Sequence, residues 1–122
     1  MSENLHHAMK LQPEPFEMIR SGRKTIELRL YDERRQSIEI GDTLVFVHTE
    51  DASLTLTAKV TALHLFPDFA ALYAALPLDK CGYLPEELAD ASPVDMNVYY
   101  SAERQAQYGV VGIEIALLED EQ

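Results

Sequence analysis

The chain has 122 residues, of which 47% are hydrophobic and 25% are charged, and its formal net charge is −11. A chain of this length and composition can bury one continuous apolar core, so we expect a single domain over residues 1–122 and exclude intrinsic disorder. Because nonspecific affinity for a polyanion comes largely from Lys and Arg, the net charge argues against tight, nonspecific DNA binding.

Cysteine content and hydropathy indicate the cellular compartment in which the protein is expected. Cys81 is the single cysteine and has no partner for an internal disulfide, and the sequence contains neither a cluster of Cys and His ligands nor a secretory leader. We therefore expect a cytoplasmic protein without a metal or another cofactor. Apolar runs such as Phe69–Leu78 end well short of the ~20 residues that a membrane-spanning helix needs, so we expect no membrane role.

The start of the chain predicts a tail and a short helix. Residues 1–10 carry no usable periodicity, and we expect residues 1–8 to be a flexible tail, with its two histidines in solvent rather than on a metal. Along Glu14–Ser21 the apolar side chains fall on one helical face, and Gly22 follows where a helix C-cap belongs. The sequence therefore predicts a helix that ends at Gly22.

The next segment, Lys24–Leu30, predicts a strand. Polar and apolar residues alternate along it, as in a strand with one face on the core and the other face open. The apolar members are Ile26, Leu28 and Leu30, and the polar members are Thr25, Glu27 and Arg29. Because alternate side chains of a strand point the same way, the three polar groups are predicted to share one face.

Two more strands are predicted in the middle of the chain. Asp32–Arg35 is predicted to be a solvated loop, and the turn Gly41-Asp42 leads into an apolar strand over Thr43–His48. Leu54–Leu65 alternates again and is long enough to curve around a small barrel. The residues expected on one side of this strand are Leu54, Leu56, Ala58, Val60, Ala62 and His64.

The second half of the chain predicts one more helix and a closing strand. Asp68–Leu76 has helical spacing with an aspartate available as N-cap, and Pro77–Val98 is predicted to be a loop with one helical turn. Gly109–Leu117 is predicted to be a buried strand, followed by a flexible acidic tail over residues 118–122. Strands outnumber helices and few crossover units are available, so we predict an α+β fold with a small curved or barrel-like sheet and flanking helices.

The basic residues of this acidic chain are concentrated near the first predicted strand. Six of the ten Lys and Arg residues lie within sixteen positions, namely Arg20, Arg23, Lys24, Arg29, Arg34 and Arg35. A local basic surface can therefore exist on an acidic protein. Glu27 and Arg29 are i and i+2 neighbours, so the guanidinium can hold the carboxylate while its other donors meet an anionic or carbonyl-bearing ligand.

Each of these features also has a simpler interpretation. A strand face that carries Lys24, Glu27 and Arg29 can be a surface ladder of ion pairs, worth only about 0–1 kcal/mol per pair. Consecutive tyrosines must face opposite ways in an extended segment, and of Tyr99 and Tyr100 we expect Tyr100 at the functional surface. The residues expected to serve packing rather than chemistry are His48, His64 and Cys81.

The segment Gly22–Arg29 resembles the G-x-K-x-x-E-x-R motif of the ASCH domains, a family with a PUA-like β-barrel fold and proposed RNA-related functions. The matching residues are Gly22, Lys24, Glu27 and Arg29. Lys10–Phe16 resembles the family's opening strand and the start of its first helix, and Gly41-Asp42 resembles its turn into the next strand. Tyr99–Glu103 and Tyr108–Ile113 resemble the closing part of a small bacterial and archaeal subgroup.

The resemblance implies a cleft beside the barrel, floored by the motif strand, that takes a short RNA or a nucleoside. In a catalytic site, Lys24 would activate a nucleophile or stabilise an oxyanion, and Glu27 would move protons. The residues expected to bind the ligand are Thr25, Arg29, Tyr100 and Ser101. Tyr100 would stack a base or donate a hydrogen bond, and Ser101 would contact phosphate.

Members of this family differ in activity. Some resemble RNA-binding modules, some are reported as ribonucleases, and one bacterial branch hydrolyses the amide of N4-acetylcytidine with a Lys, a Thr and a Glu. Lys24 matches that branch's lysine, whereas Glu27 stands at the position of its threonine. Glu86 and Glu87 lie in the region of its glutamate but do not match it.

We therefore expect a protein that binds RNA or a modified nucleoside in a small cleft, either with or without hydrolysis. A short RNA or a single nucleoside suits an acidic chain better than a long duplex does. The alternative from another class is a noncatalytic interaction module whose acidic loop, Asp79–Asp95, contacts a protein partner.

Overall fold

The structure is a computed structural model, and it describes residues 5–118. The strands are β1 (His6–Leu11), β2 (Ile26–Leu30), β3 (Thr43–His48), β4 (Thr55–Phe66) and β5 (Val110–Leu117). The helices are α1 (Pro13–Arg20), α2 (Glu33–Gln36), α3 (Phe69–Ala75) and α4 (Ala102–Tyr108). Three short 3₁₀ helices, Leu78–Lys80, Pro85–Asp90 and Pro93–Val98, lie between α3 and α4.

The five strands form one curled sheet in the order β1-β3-β4-β5-β2. β1 pairs with β3 in parallel, and the other pairs are antiparallel. Arg29 on β2 donates from Nη2 to the carbonyl of Lys10 at 3.1 Å, and Arg34 donates to the carbonyl of Ala8 at 3.0 Å. Arg29 thus joins the two edge strands, and Arg34 joins α2 to β1; both guanidinium groups occupy backbone acceptors that an open sheet edge would leave exposed.

Both faces of the sheet are covered by apolar side chains. One face packs with α1 around Phe16, Leu44 and Phe46, and the other packs with α3 around Leu30, Phe69 and Leu72. None of these six residues is more than 5% exposed. Among residues 5–118, no helix combines the length and the hydropathy needed to cross a bilayer.

The expectation that β2 has one open face is wrong. Its apolar residues face the core, as predicted, and pack there with α3, but Glu27 is opposite Ile113 and Arg29 is opposite Val111. Directly paired residues share a face, so these charged groups lie on the side of the core beneath α1. Glu27 is only 4% exposed as a result.

A β-bulge at Thr61 alters the long strand β4. Val60 is opposite Ile115, but Ala62 is opposite Glu114, so Thr61 is an extra residue in β4. A one-residue slip sends every following side chain to the other face. The predicted orientation of the β4 side chains is therefore correct for Ala58 and Val60, which are buried. It is wrong after the bulge, for Ala62 and His64.

The expected tail over residues 1–8 is contradicted in part, because His6, His7 and Ala8 belong to β1 and pair with β3. Residues 1–4, and most of the second expected tail at residues 119–122, lie outside the described residues. The amide of Leu118 donates to the carbonyl of Thr57 at 2.9 Å, so the last described residue is still hydrogen-bonded to β4.

Local signals predicted most other elements within one or two residues. Helix α1 ends where Gly22 adopts φ +87°, a left-handed conformation that glycine accepts without strain. The predicted solvated loop at Asp32–Arg35 is instead the single turn of α2, capped by the Asp32 carboxylate. The polar stretch after Tyr100 contains α4, which the sequence did not predict.

Candidate functional site

Lys24 stands in the connection between α1 and β2. Its amide donates to the carbonyl of Met18 at 3.0 Å, and the amide of Thr25 donates to the carbonyl of Lys80 at 2.8 Å. The first bond fixes the backbone against the end of α1, and the second fixes it against the loop after α3. The side chain of Lys24 is 12% exposed, so most of it is covered.

Glu27 joins two cations within the fold. The Lys24 ammonium lies 2.8 Å from Oε1, and Arg29 Nε donates to Oε2 at 2.7 Å. Burial would raise the pKa of the Glu27 carboxyl, but the charges of Lys24 and Arg29 outweigh burial and lower it. Glu27 is therefore a carboxylate near neutral pH; its Oε2 accepts from Arg29, and its Oε1 forms an ion pair with Lys24. We call Lys24, Glu27 and Arg29 the charged cluster.

Arg29 connects the charged cluster to the other edge of the sheet. Besides Glu27, it reaches the carbonyl of Lys10. Burial would lower the pKa of the Arg29 guanidinium, but Glu27 and the hydroxyl of Tyr100 outweigh burial and raise it. Tyr100 also stacks on Phe69 with 6.1 Å between ring centroids. Tyr100 therefore lies beside Arg29, whereas Tyr99 is 69% exposed.

The loop after α3 covers Lys24 at a glycine. Gly82 has φ +114°, and a Cβ built there would lie 3.3 Å from Lys24 Cδ and 3.6 Å from its Nζ. Cys81 is buried beside it, and burial raises the pKa of its thiol to about 11 in spite of the nearby Lys24. A thiol with that pKa stays protonated at neutral pH and is a poor nucleophile.

The same loop is anchored to α3 by a chain of hydroxyl groups. Tyr83 donates to Asp95 Oδ2 at 2.7 Å, and its hydroxyl lies 2.7 Å from that of Tyr73. Glu86 and Glu87 lie on the exposed Pro85–Asp90 turn, where Glu87 accepts from the amide of Leu84. The carboxylate of Glu87 is thus used to cap a turn.

The other predicted ligand-binding residues lie apart from the charged cluster. Thr25 lines a surface cavity with residues of β4, β5 and the loop after α3. Ser101 is the N-cap of α4 and accepts from the amide of Arg104 at 3.2 Å. The structure therefore brings together Lys24, Glu27, Arg29 and Tyr100, and it uses the Ser101 hydroxyl for helix capping.

Sequence reasoning missed the backbone contributions to this site. The carbonyl of Lys10 and the close approach of Gly82 depend on pairing between distant segments. Two surface cavities of about 490 and 500 Å³ are lined by neither Lys24, Glu27 nor Arg29. Within residues 5–118, no group of three His, Cys, Asp or Glu side chains is arranged to hold a metal ion.

The charged cluster suits binding of a negative or carbonyl-bearing group. Two cations and one carboxylate leave one net positive charge in a largely buried setting. Low dielectric strengthens such a charge, and a fixed guanidinium loses little freedom when it binds. Because its pKa is lowered, Glu27 is a weak proton acceptor and serves best as the counter-ion that holds both cations.

Comparisons with known proteins agree with this architecture. A family model described as the ASCH domain matches residues 9–119. The chain is similar to the hypothetical protein PH0355 at 32% identity, with a TM-score of 0.75 over 93% of this chain and 99% of that one. It is also 32% identical to protein PF0455 from Pyrococcus furiosus, with a TM-score of 0.65 over 94% of this chain and 99% of that chain.

A third solved structure, an ASCH protein from Zymomonas mobilis, is 15% identical, with a TM-score of 0.63 over 91% of this chain and 66% of that one. At this identity it supports the fold alone, and it confirms the predicted PUA-like α+β fold. A search among curated proteins gave no match. The motif, the curled sheet and the match over residues 9–119 together place this chain in the ASCH domain family, which is related to the PUA-like RNA-binding domains.

Proposed function

We propose that this ASCH domain binds a short RNA or a modified nucleoside, in the cytoplasm, through Lys24 and Arg29. The supporting observation is that Lys24, just before β2, and Arg29, on β2, lie 2.8 and 2.7 Å from the Glu27 carboxylate in an otherwise acidic chain. The ammonium and the guanidinium would contact a phosphate or a base carbonyl, while Glu27 keeps them in place. Tyr100, beside Arg29, offers an aromatic face for a base.

Hydrolysis of the bound RNA or nucleoside is an alternative function for the same site. It needs a side chain that exchanges protons near neutral pH. The pKa of Glu27 is lowered and that of Cys81 is raised to about 11, so neither is poised for this role. The loop residue next to the Lys24 side chain is Gly82, which has no side chain that could exchange a proton. Glu27 stands where the acetylcytidine branch has its threonine. We therefore favour binding without turnover.

The test compares two lysine-to-methionine variants. Lys24→Met removes a cation of the charged cluster, and Lys59→Met removes an exposed cation of β4 with the same change in net charge. Affinity for a fluorescent RNA pentamer and for N4-acetylcytidine is measured by anisotropy and calorimetry. We expect Lys24→Met to weaken binding by about tenfold or more, and Lys59→Met by less than about twofold.

Thermal unfolding of each variant shows whether it is folded before binding is measured. Equal effects of the two substitutions would mean that only net charge matters, and the proposal would be wrong. The same samples are assayed for acetate release from N4-acetylcytidine and for RNA cleavage. Turnover by the wild type that Lys24→Met abolishes would replace the binding role with a catalytic one.

A noncatalytic protein-interaction role is the second candidate, because the acidic segment carries exposed apolar side chains. Val94 is 63% exposed, and Val98 and Tyr99, just beyond the segment, are 81% and 69% exposed. Clustered apolar side chains on a surface commonly mark a protein contact. An association that resists nuclease and is lost in Val98→Ser, but is kept in Lys24→Met, would favour this function.

A further inference from the structure

A second group of polar side chains lies at a cavity on the opposite face of the sheet from Glu27. The cavity has a volume of about 500 Å³ and lies between β4, β5, the start of β2 and the end of α3. Its size falls within the range of small-molecule sites in proteins. Lys24, Glu27 and Arg29 do not line it.

A histidine and a carboxylate are paired at this cavity. His64 Nε2 lies 2.9 Å from Glu114 Oε1, and the two side chains are 34% and 44% exposed. His64 is opposite Gly112, while Glu114 is opposite both Ala62 and Ile26. These residues therefore share the face that packs with α3.

The bulge at Thr61 is what brings His64 to this face. In an uninterrupted strand, His64 would lie on the same face as Val60, which is 1% exposed in the core. The extra residue turns His64 outward, where it meets Glu114. Bulges that redirect a side chain are common beside functional sites, so the bulge is a second observation in favour of a site here.

The lining indicates a neutral, hydroxyl-rich ligand with an apolar side. Thr25 brings a hydroxyl group, and the Thr61 hydroxyl donates to the carbonyl of Glu114 at 3.2 Å, so it meets a ligand as an acceptor. The charges of Lys80 and Glu114 cancel. A free phosphate is disfavoured beside the Glu114 carboxylate, and a histidine with one carboxylate is too few ligands for a stable metal site. The apolar part of the wall consists of Ile26, Leu76, Pro77, Ile115 and Ala116.

We propose that this cavity binds the vicinal diol of a ribonucleoside. His64 pairs with Glu114 Oε1, so Oε2 would be the atom that accepts from a ribose hydroxyl, a role that carboxylates commonly take with ribose. The apolar wall would contact the base. The proposal shares its ligand class with the proposed function but uses none of the charged cluster, so the two can fail separately.

The experiment is an amide chemical-shift titration of the full chain with cytidine and with 2′-deoxycytidine. We expect saturable shifts at Thr25, Thr61 and Ala116 with cytidine, and a dissociation constant about tenfold higher for the deoxy compound, because one hydroxyl donor is missing. Glu114→Gln should weaken cytidine binding by a similar factor. Lys59→Met, which removes an exposed cation of β4 that does not line the cavity, should leave it unchanged.

Equal affinity for cytidine and 2′-deoxycytidine would overturn the proposal, as would cytidine shifts confined to the charged cluster. His64→Gln is the second variant, since it releases the carboxylate without removing it, and an unchanged affinity in both variants would also overturn the proposal. An RNA tetramer with a free 3′ diol is compared with the same tetramer ending in 3′-phosphate. If only the tetramer with the free 3′ diol shifts the amide signals at the cavity, the cavity binds the 3′ end of an RNA.

Discussion

At the scale of single residues, buried carboxylates determine how the parts of this fold are joined. Glu27 on β2 holds the cations Lys24 and Arg29, and Asp42 holds the start of β1 against the turn before β3. Asp42 is 2% exposed and accepts from His7 Nε2 at 2.8 Å and from the amides of Leu5 and Glu39 at 3.0 Å. Burial would raise the pKa of Asp42, but the hydrogen bonds from His7 and the two amides outweigh it and lower it.

Asp42→Asn should reduce the free energy of unfolding by about 2 kcal/mol at pH 7, as expected for lost hydrogen bonds to a charged group. Because the folded pKa lies below the ordinary 3.8, the charged form stabilises the fold above that pH, and the contribution disappears as the pH falls through the folded pKa. The difference in the free energy of unfolding between wild type and Asp42→Asn, measured by urea titration, should therefore become smaller below about pH 3.8. A difference that grows in acid would contradict this, and the exposed Asp79→Asn is the control.

At the scale of elements, α3 lies close to β5 because one position of the strand has no side chain. A Cβ at Gly112 would lie 2.8 Å from Leu76 Cδ1 and 3.1 Å from Ile26 Cγ2. These distances are shorter than van der Waals contact, so an added methyl group must displace the leucine or the whole helix end. Gly112 thus sets the spacing between the sheet and α3, and with it the wall of the cavity at His64.

Gly112→Ala should destabilise the protein by about 1–3 kcal/mol through this overpacking. Leu76→Ala removes the nearest atom, so the glycine substitution should cost less in the Leu76→Ala background. Urea unfolding of the wild type, both single variants and the double variant measures the coupling. Strictly additive effects would show that the two positions do not meet.

At the scale of the whole molecule, the net charge of −11 repels a polyanion, whereas the charged cluster attracts one. Lys24 and Arg29 are mostly covered, and the chain as a whole repels phosphate at long range. Binding should therefore depend on local contacts with one or two phosphates or bases. RNA nucleotides beyond those contacts should add little to the affinity.

The salt dependence of RNA affinity measures this number of contacts. For single strands the slope of log affinity against log salt is about −0.7 per neutralised phosphate, so we expect a slope of about −1. Affinities for a pentamer and a 20-mer should be similar once corrected for the number of binding registers. A slope steeper than about −3 would indicate an extended basic surface and contradict the local site.

Local signals in the sequence were enough to predict the elements with a clear period and the family to which the chain belongs. The periods of α1, β2, β3, α3 and β5 follow from side chains that share one face, and the spacing of Gly22, Lys24, Glu27 and Arg29 matches the ASCH motif. Alternation along β2 also predicted that Glu27 and Arg29 would be neighbours. These features depend on residues only a few positions apart.

Long-range packing sets which segments of the chain meet. The parallel pairing of β1, the covered face of Glu27, the bulge at Thr61 and the approach of Gly82 to Lys24 all join residues far apart in the chain. A period reports how side chains alternate, but it does not report which strand lies opposite or what covers each face. For that reason the pattern placed Glu27 on an open surface, whereas packing made it a buried counter-ion.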